Sequence, residues 1–241
     1  MMKKSDVRKA FIYTGIFAIA MGFLEAVVVV YLRELYYPEG FHFPLRVFSQ
    51  KIYGIEIIRE ASTLVMLLMV GVLTGKSFHE RFAFFLYSFG VWDIVYYIAL
   101  KLFLDWPPGI LSWDILFLIP ITWIGPVLAP VICSLTMITL SVVLVSVHKR
   151  RNIRLLGTRE WSLLLSGSLL VFLAFIRDFT LLMIRNGYAR SPDNLFQNDS
   201  FVRTIESFIP QTFGWLLFGT GEVLLILGII LIITRHKRKT T

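Results

Sequence analysis

The chain has 241 residues, of which 56% are hydrophobic and 17% charged, and its mean hydropathy is +0.73. A soluble domain averages about 45–50% apolar and about 25% charged residues, so this composition excludes an ordinary soluble protein. The net charge of +8 comes from basic residues at the ends of apolar runs, which argues against nucleic acid as a partner. The single cysteine, Cys133, excludes an intrachain disulfide and a cysteine-based zinc site.

Apolar runs of about 20 residues recur along the whole chain, and each is long enough to cross a bilayer as a helix. We therefore predict an all-α polytopic membrane helix bundle that forms a single integral membrane domain over residues 1–241. The first run is too long for the apolar region of a signal peptide and has no convincing cleavage site, so we interpret it as a retained span. The six predicted transmembrane helices cover approximately residues 10–32, 52–74, 82–104, 124–147, 161–184 and 209–234.

Lysine and arginine at the span ends predict the orientation, because cytoplasmic loops carry an excess of both. Fifteen basic residues flank the span ends that adjoin the two termini, the 75–81 loop and the 148–160 loop, whereas six flank the opposite ends. We therefore expect a multi-pass protein of the cell membrane with both termini in the cytoplasm and the 185–208 loop outside.

Spans 1 and 2 carry ionisable residues within their apolar runs. In span 2, Glu56, Arg59 and Glu60 share one helix face, because residues three and four apart are neighbours. Ionisable side chains at membrane depth usually face the bundle interior or a water-filled cavity. In span 1, Glu25 lies beside a stripe of small residues that would let another helix approach closely, namely Thr14, Ala18, Gly22 and Ala26.

The apolar run over residues 111–147 is too long for one span. As a continuous helix its 37 residues would extend about 55 Å, whereas a bilayer core is about 30 Å thick. Three prolines interrupt its first half. We predict a short re-entrant or interfacial helix within the 111–123 segment, at about 112–119, followed by span 4. Asp114 would then be an ordinary first-turn acid after the N-cap residue Ser112.

The remaining spans also carry buried charges. Asp93 lies near the middle of span 3, Arg177 and Asp178 are adjacent in span 5, and Glu222 lies near the middle of span 6. In the loop between spans 5 and 6, apolar residues at helical spacing predict a helix on the membrane surface: Phe201, Ile205, Phe208 and Ile209.

The charges fall at two depths. With a rise of 1.5 Å per residue, Glu25, Arg59 and Arg177 each lie about 12 Å below the outer end of their span. By the same measure, Asp93 and Glu222 lie about 18 Å below it. Matching depths predict a shared cavity that opens outward. They also predict an ion pair between spans 2 and 5, Arg59 with Asp178.

Six carboxyls and only two guanidinium groups lie away from the membrane interfaces, and four uncompensated negative charges would be prohibitive in a low dielectric. Either several carboxyls are protonated or cations occupy the site. A carboxylate site suits hard ions such as Mg²⁺ or Ca²⁺, and we predict no other cofactor. The predicted ligand- or ion-binding residues are Glu25, Glu56, Arg59, Glu60, Asp93, Arg177, Asp178 and Glu222.

Three functions fit these charges. The first is proton- or cation-coupled transport of a small solute, favoured because the excess carboxyls require mobile cations. The second is an intramembrane enzyme in which the arginines grip the anionic group of a lipid-like substrate. In the third the protein is an assembly subunit whose charges only lock its helices. The expected partners are the lipid bilayer and a small solute, a cation or a lipid head group. The weakness of the transport hypothesis is that the inner half of each span carries little charge.

Overall fold

The computed structural model describes residues 4–148, 156–188 and 195–237. Within these ranges, six helices are long and apolar enough to cross a membrane, which confirms the predicted class. They are α1 (Lys4–Tyr36), α2 (Gln50–Thr74), α3 (Phe78–Leu104), α4 (Leu128–His148), α5 (Thr158–Arg185) and α7 (Trp215–Lys237), and a short helix, α6 (Asp199–Glu206), precedes the last of them.

Helix α3 is the centre of one half of the bundle and packs against α1, α2 and α4. In the other half, α5 packs along α7, and α4 joins the two halves because it contacts both α3 and α7. Because consecutive spans run in opposite directions, both chain termini lie at one end of the bundle. We call this the terminal end, and we call the opposite end, which holds the segment between α3 and α4, the hairpin end.

The small-residue stripe of α1 lies at a close helix contact of the kind predicted. Thr14, Ala18 and Ala26 are buried, with Thr14 turned towards α2 and Ala26 packed on α3. A Cβ atom added at Gly22 would lie 2.8 Å from the backbone oxygen of Trp92 in α3, a distance that real Cβ atoms do not reach. The stripe therefore brings the two helix backbones close together.

The prediction of a short helix at 112–119 is wrong. This segment forms an antiparallel hairpin of two strands, β1 (Trp113–Phe117) and β2 (Trp123–Pro126), with Asp114 opposite Gly125. A short apolar run does not distinguish a buried helix from a buried strand, and aromatic and β-branched residues bounded by proline favour the strand. Because β2 occupies the start of predicted span 4, α4 begins at Leu128 rather than at 124.

The hairpin is tolerated inside the bundle because its backbone groups are satisfied by protein. At the open end of the hairpin, two further backbone hydrogen bonds join its sides. Val127 N–H donates to Ser112 O at 3.0 Å, and Leu128 N–H donates to Ile110 O at 2.8 Å. At the other end of β1, the N–H of Leu118 donates to the carboxylate of Glu60 in α2. The segment therefore folds as a hairpin packed within the protein.

A helix does form between spans 5 and 6, α6, but it ends at Glu206, so Phe208 and Ile209 of the predicted stripe lie outside it. Its position on the membrane surface stays a prediction. Asn198 caps α6 by accepting hydrogen bonds from the N–H groups of Ser200 and Phe201. Phe201 and Ile205 are buried and pack with Leu45 of the α1–α2 loop, which closes this side of the hairpin end.

The predicted orientation rests partly on basic residues in positions 1–3, 149–155, 189–194 and 238–241, which lie outside the described residues. The cytoplasmic position of the termini accordingly stays a prediction.

Candidate functional site

Three glutamates surround one arginine at the hairpin end. The Nε atom of Arg59 donates to Oε2 of Glu56 at 2.8 Å, and its Nη1 atom donates to Oε1 of Glu25 in α1. Its Nη2 atom lies 3.9 Å from Oε1 of Glu60. We call these four residues the acidic cluster. It confirms that the three α2 side chains share a face and that Glu25 and Arg59 lie at the same depth.

Two further contacts fix the carboxylates of the acidic cluster. Thr63 donates to Oε2 of Glu25 at 3.1 Å, and the N–H of Leu118 in the hairpin lies 2.9 Å from Oε2 of Glu60. All three glutamates are buried. One guanidinium cannot neutralise three carboxylates, so the cluster would carry two excess negative charges if all were ionised. A proton or a cation is needed to relieve them.

A second buried ion pair, which was not predicted, lies nearer the C-terminal end of α1. The Nη2 atom of Arg33 donates to Oδ1 of Asp114 at 3.0 Å, and the hydroxyl of Tyr97 donates to Oδ2 at 3.4 Å. The Arg33 guanidinium lies 3.8 Å from the ring centre of Trp106 and 4.5 Å from that of Phe41. The interpretation of Asp114 as a first-turn acid is wrong, because that prediction depended on the helix at 112–119.

Asp114 belongs to the hairpin rather than to a span, and its environment has opposing effects. Burial raises the pKa of this carboxyl to about 6, whereas the Arg33 charge and hydrogen bonds from the Ile115 backbone and the Tyr97 hydroxyl lower it. Burial also raises the pKa of Tyr37, in the loop after α1. Both groups line the cavity described next.

A cavity of about 450 Å³ connects the two charged groups. Its apolar wall comes from α1, the α1–α2 loop, the hairpin, α5 and α6, and includes Val29, Leu45 and Phe179. All its lining elements lie at the hairpin end. The charged residues that line it are Arg33, Arg46, Glu56, Arg59, Glu60 and Asp114.

The predicted pair between Arg59 and Asp178 is wrong. Asp178 instead lies 3.8 Å from its neighbour Arg177, whose side chain is 48% exposed. Helix α2 packs mainly against α3, whereas α5 packs against α7 and β2, so the two helices do not meet as a pair. Adjacent residues point about 100° apart, but the long arginine side chain turns back far enough to reach the carboxylate. Neither residue lines the cavity.

Asp93 and Glu222 lie apart from the acidic cluster, on either side of α4. Ser134 donates to Oδ2 of Asp93 at 2.7 Å, and Thr136 donates to Oε2 of Glu222 at 2.7 Å. The other oxygen of Glu222 is buried and has no hydrogen-bond partner among the described residues. Of the eight predicted site residues, the structure therefore brings four together as the acidic cluster and places the other four elsewhere.

Comparisons with family models, with curated proteins and with solved structures found no match. Within the part of the chain that the structure describes, no group of three or more histidine, cysteine, aspartate or glutamate side chains has the geometry of a metal site. The functional argument therefore depends on the cavity and its charges.

Proposed function

We propose that the protein is an intramembrane enzyme that binds a small amphiphilic molecule in the hairpin-end cavity and performs acid–base chemistry on it. The observation that carries this proposal is the cavity itself, which combines an apolar wall with a buried acidic cluster in about 450 Å³. Cavities of about 300–1,000 Å³ with a few convergent polar groups are typical of small-molecule sites. A wall with both apolar and charged parts suits an amphiphile, which has an apolar part and a polar part.

Glu56 and Glu60 are the residues that we assign to proton transfer. Both line the cavity and both face Arg59. The N–H of Leu118 fixes the Glu60 carboxylate, at 2.9 and 3.1 Å from its two oxygens. Within the described residues, Glu56 is held instead by its hydrogen bond from Arg59. Glu56 is thus the better group to exchange a proton with a hydroxyl or leaving oxygen of the substrate, and Glu60 positions Arg59 and the hairpin.

Proton- or cation-coupled transport is the second candidate. It is favoured by Asp93 and Glu222, two buried carboxyls outside the cavity, one of them with an unpartnered oxygen. Transport also requires access from the terminal end. The residues that line the cavity all lie in the hairpin-end half of the bundle, and this favours the enzyme over the transporter.

We further propose that the protein resides in the cell membrane with its termini in the cytoplasm and the cavity opening outward. The excess of lysine and arginine around the terminal end supports this orientation. An amphiphile would then reach the cavity from the outer leaflet.

The test is reconstitution of the purified protein into liposomes made from a total lipid extract, with and without Mg²⁺ or Ca²⁺. Lipid composition is followed by mass spectrometry. We expect one or more amphiphilic species to change with the wild type and not with Glu56→Gln, whereas Glu222→Gln retains the activity. No change in any species, together with uptake of a solute driven by a pH gradient and lost in Glu222→Gln, would replace the enzyme by the transporter.

A further inference from the structure

Arg33 carries a buried hydrogen-bond donor that the fold does not satisfy. The residue is 6% exposed, and its Nη2 atom is bonded to Asp114. Its Nη1 atom is buried and has no partner among the residues that the structure describes. Leaving a buried charged donor unpaired is costly, so such atoms require an explanation. Arg33 lines the cavity, and a ligand there can supply the missing acceptor.

We propose that the Nη1 atom of Arg33 binds an anionic oxygen of the cavity ligand, a phosphate or a carboxylate. This inference rests on the proposed function and deepens it, because it names the chemical class of the substrate. Three neighbours hold the guanidinium in place: the ring of Trp106, the ring of Phe41 and the carboxylate of Asp114. The guanidinium is therefore already in position for an oxyanion. Its Nη1 atom has almost no exposed surface, so an oxyanion reaches it only with a small shift of the cavity lining.

Arg46 adds a second positive charge beside Arg33. Its backbone N–H donates to the hydroxyl of Tyr37 at 2.7 Å, and its guanidinium lies 5.9 Å from the ring centre of Tyr37. Tyr37 in turn donates its N–H to the backbone oxygen of Arg33. Of the charged residues that line this part of the cavity, two are arginines and one is the carboxylate Asp114; Glu206, whose charge also acts on Tyr37, is not part of the lining. Arg46 is exposed, so it stands at the rim and attracts an anion towards Arg33.

The positive group and the acidic cluster lie at different depths. Arg33 and Glu25 are eight residues apart on α1, a rise of about 12 Å. Asp114 and Leu118, which bond to the two groups from the hairpin, are four residues apart, about 13 Å in an extended strand. Both measures give the cavity a positive pole near the surface and a negative pole about 12 Å deeper. The geometry therefore selects an amphiphile with an oxyanion at one position and a hydroxyl or amine at the other.

The experiment measures binding to the purified full-length protein by isothermal titration calorimetry. The probes are dihexanoyl phosphatidic acid, dihexanoylglycerol, which lacks the phosphate, and inorganic phosphate. Arg33→Lys keeps the charge and the Asp114 partner but removes the free Nη1 donor. Arg177→Lys is the matched control, because Arg177 is also paired with an aspartate at the hairpin end but does not line the cavity. Asp114→Asn removes the negative charge that competes with the ligand for Arg33.

We expect Arg33→Lys to weaken dihexanoyl phosphatidic acid binding about tenfold and Asp114→Asn to strengthen it several-fold, with no change in Arg177→Lys. Unchanged affinity in Arg33→Lys overturns the inference. If Arg33→Lys does not fold, equal or weaker binding in Asp114→Asn overturns it instead.

The three probes distinguish a lipid head group from free phosphate as the source of the anion. They also distinguish failure of the anion site from failure of the proposed function. If only phosphatidic acid binds, and its binding depends on Arg33, the site is assigned to a lipid head group. If only inorganic phosphate binds in this way, the site is assigned to the free anion, and the proposed amphiphilic substrate is ruled out. Equal binding of dihexanoylglycerol and phosphatidic acid overturns the anion site but leaves the proposed function standing. No binding of any probe overturns both.

Discussion

Replacing Arg59 by methionine tests whether the acidic cluster holds α1 and α2 together. The change keeps most of the side-chain length and removes the charge. Glu25 then retains its bond from Thr63, and Glu60 retains its bond from Leu118, but Glu56 loses its contact. Removing one partner of a buried ion pair costs about 3–5 kcal/mol. The Arg59 side chain is 19% exposed, so we expect a loss of about 3 kcal/mol, at the lower end of that range.

The assay is equilibrium unfolding in detergent micelles, run as a double-mutant cycle with Glu25→Gln. Because the two side chains are in direct contact, we expect the double variant to recover about 1–2 kcal/mol relative to the sum of the single losses. Arg177→Met is the control. Its half-exposed ion pair with Asp178 should contribute only about 0–1 kcal/mol.

Two results would refute this reasoning. Additive losses within about 0.5 kcal/mol would mean that Arg59 and Glu25 do not interact. Equal losses in Arg59→Met and Arg177→Met would mean that burial of the cluster does not determine its contribution.

Three further predictions concern packing, pH and topology. Gly22→Ala should lower the free energy of unfolding by about 1–3 kcal/mol, since the new Cβ would lie 2.8 Å from a backbone oxygen of α3. Gly54→Ala, where a Cβ meets nothing within 4 Å, should not lower it in the same unfolding assay, and equal losses would contradict the close packing. The pKa of Asp114 is raised to about 6, so its stabilising contribution should be fully present below about pH 4 and lost as the pH rises through about 6. The free energies of unfolding of the wild type and Asp114→Asn, measured against pH, should diverge in this window. Parallel curves would contradict the prediction. A cysteine at Gln197 in a Cys133→Ser background should react with a membrane-impermeant maleimide added to intact cells, and labelling only after the cytoplasmic side is opened would reverse the orientation.

The parts of the site that the sequence predicts correctly depend on regular helices. The spacing of Glu56, Arg59 and Glu60 places them on one face whatever surrounds the helix. The equal depth of Glu25 and Arg59 follows from the constant rise per residue, although their contact itself was not predicted. These inferences need no knowledge of which helices are neighbours.

The wrong predictions concern features that the local sequence leaves undecided and that tertiary packing determines. Depth alone allowed Arg59 to pair with Asp178, but α2 and α5 pack against different partners. The hairpin was predicted as a helix because a five-residue apolar strand has no distinguishing period. That error also hid the ion pair of Arg33 and Asp114, since it placed Asp114 on a helix end facing solvent.

The position of the cavity also favours the enzyme hypothesis over the transport hypothesis. Excess carboxyls favoured transport while all the charges were taken to share one site. In the structure, Asp93 and Glu222 lie outside the cavity, and the charges that remain surround a volume suited to one small amphiphile. The acidic cluster still requires a proton or a cation, but the position of the whole lining in the hairpin-end half of the bundle favours chemistry on a bound molecule.

The central claim is that an amphiphile occupies the hairpin-end cavity, and blocking that cavity tests it most directly. Val29→Trp would fill the cavity from its α1 wall without altering a charge. Leu24→Trp, on an exposed part of the same helix, is the control. We predict that calorimetric binding of dihexanoyl phosphatidic acid falls at least tenfold in Val29→Trp and is unchanged in Leu24→Trp. Wild-type affinity in a folded Val29→Trp protein would contradict the claim.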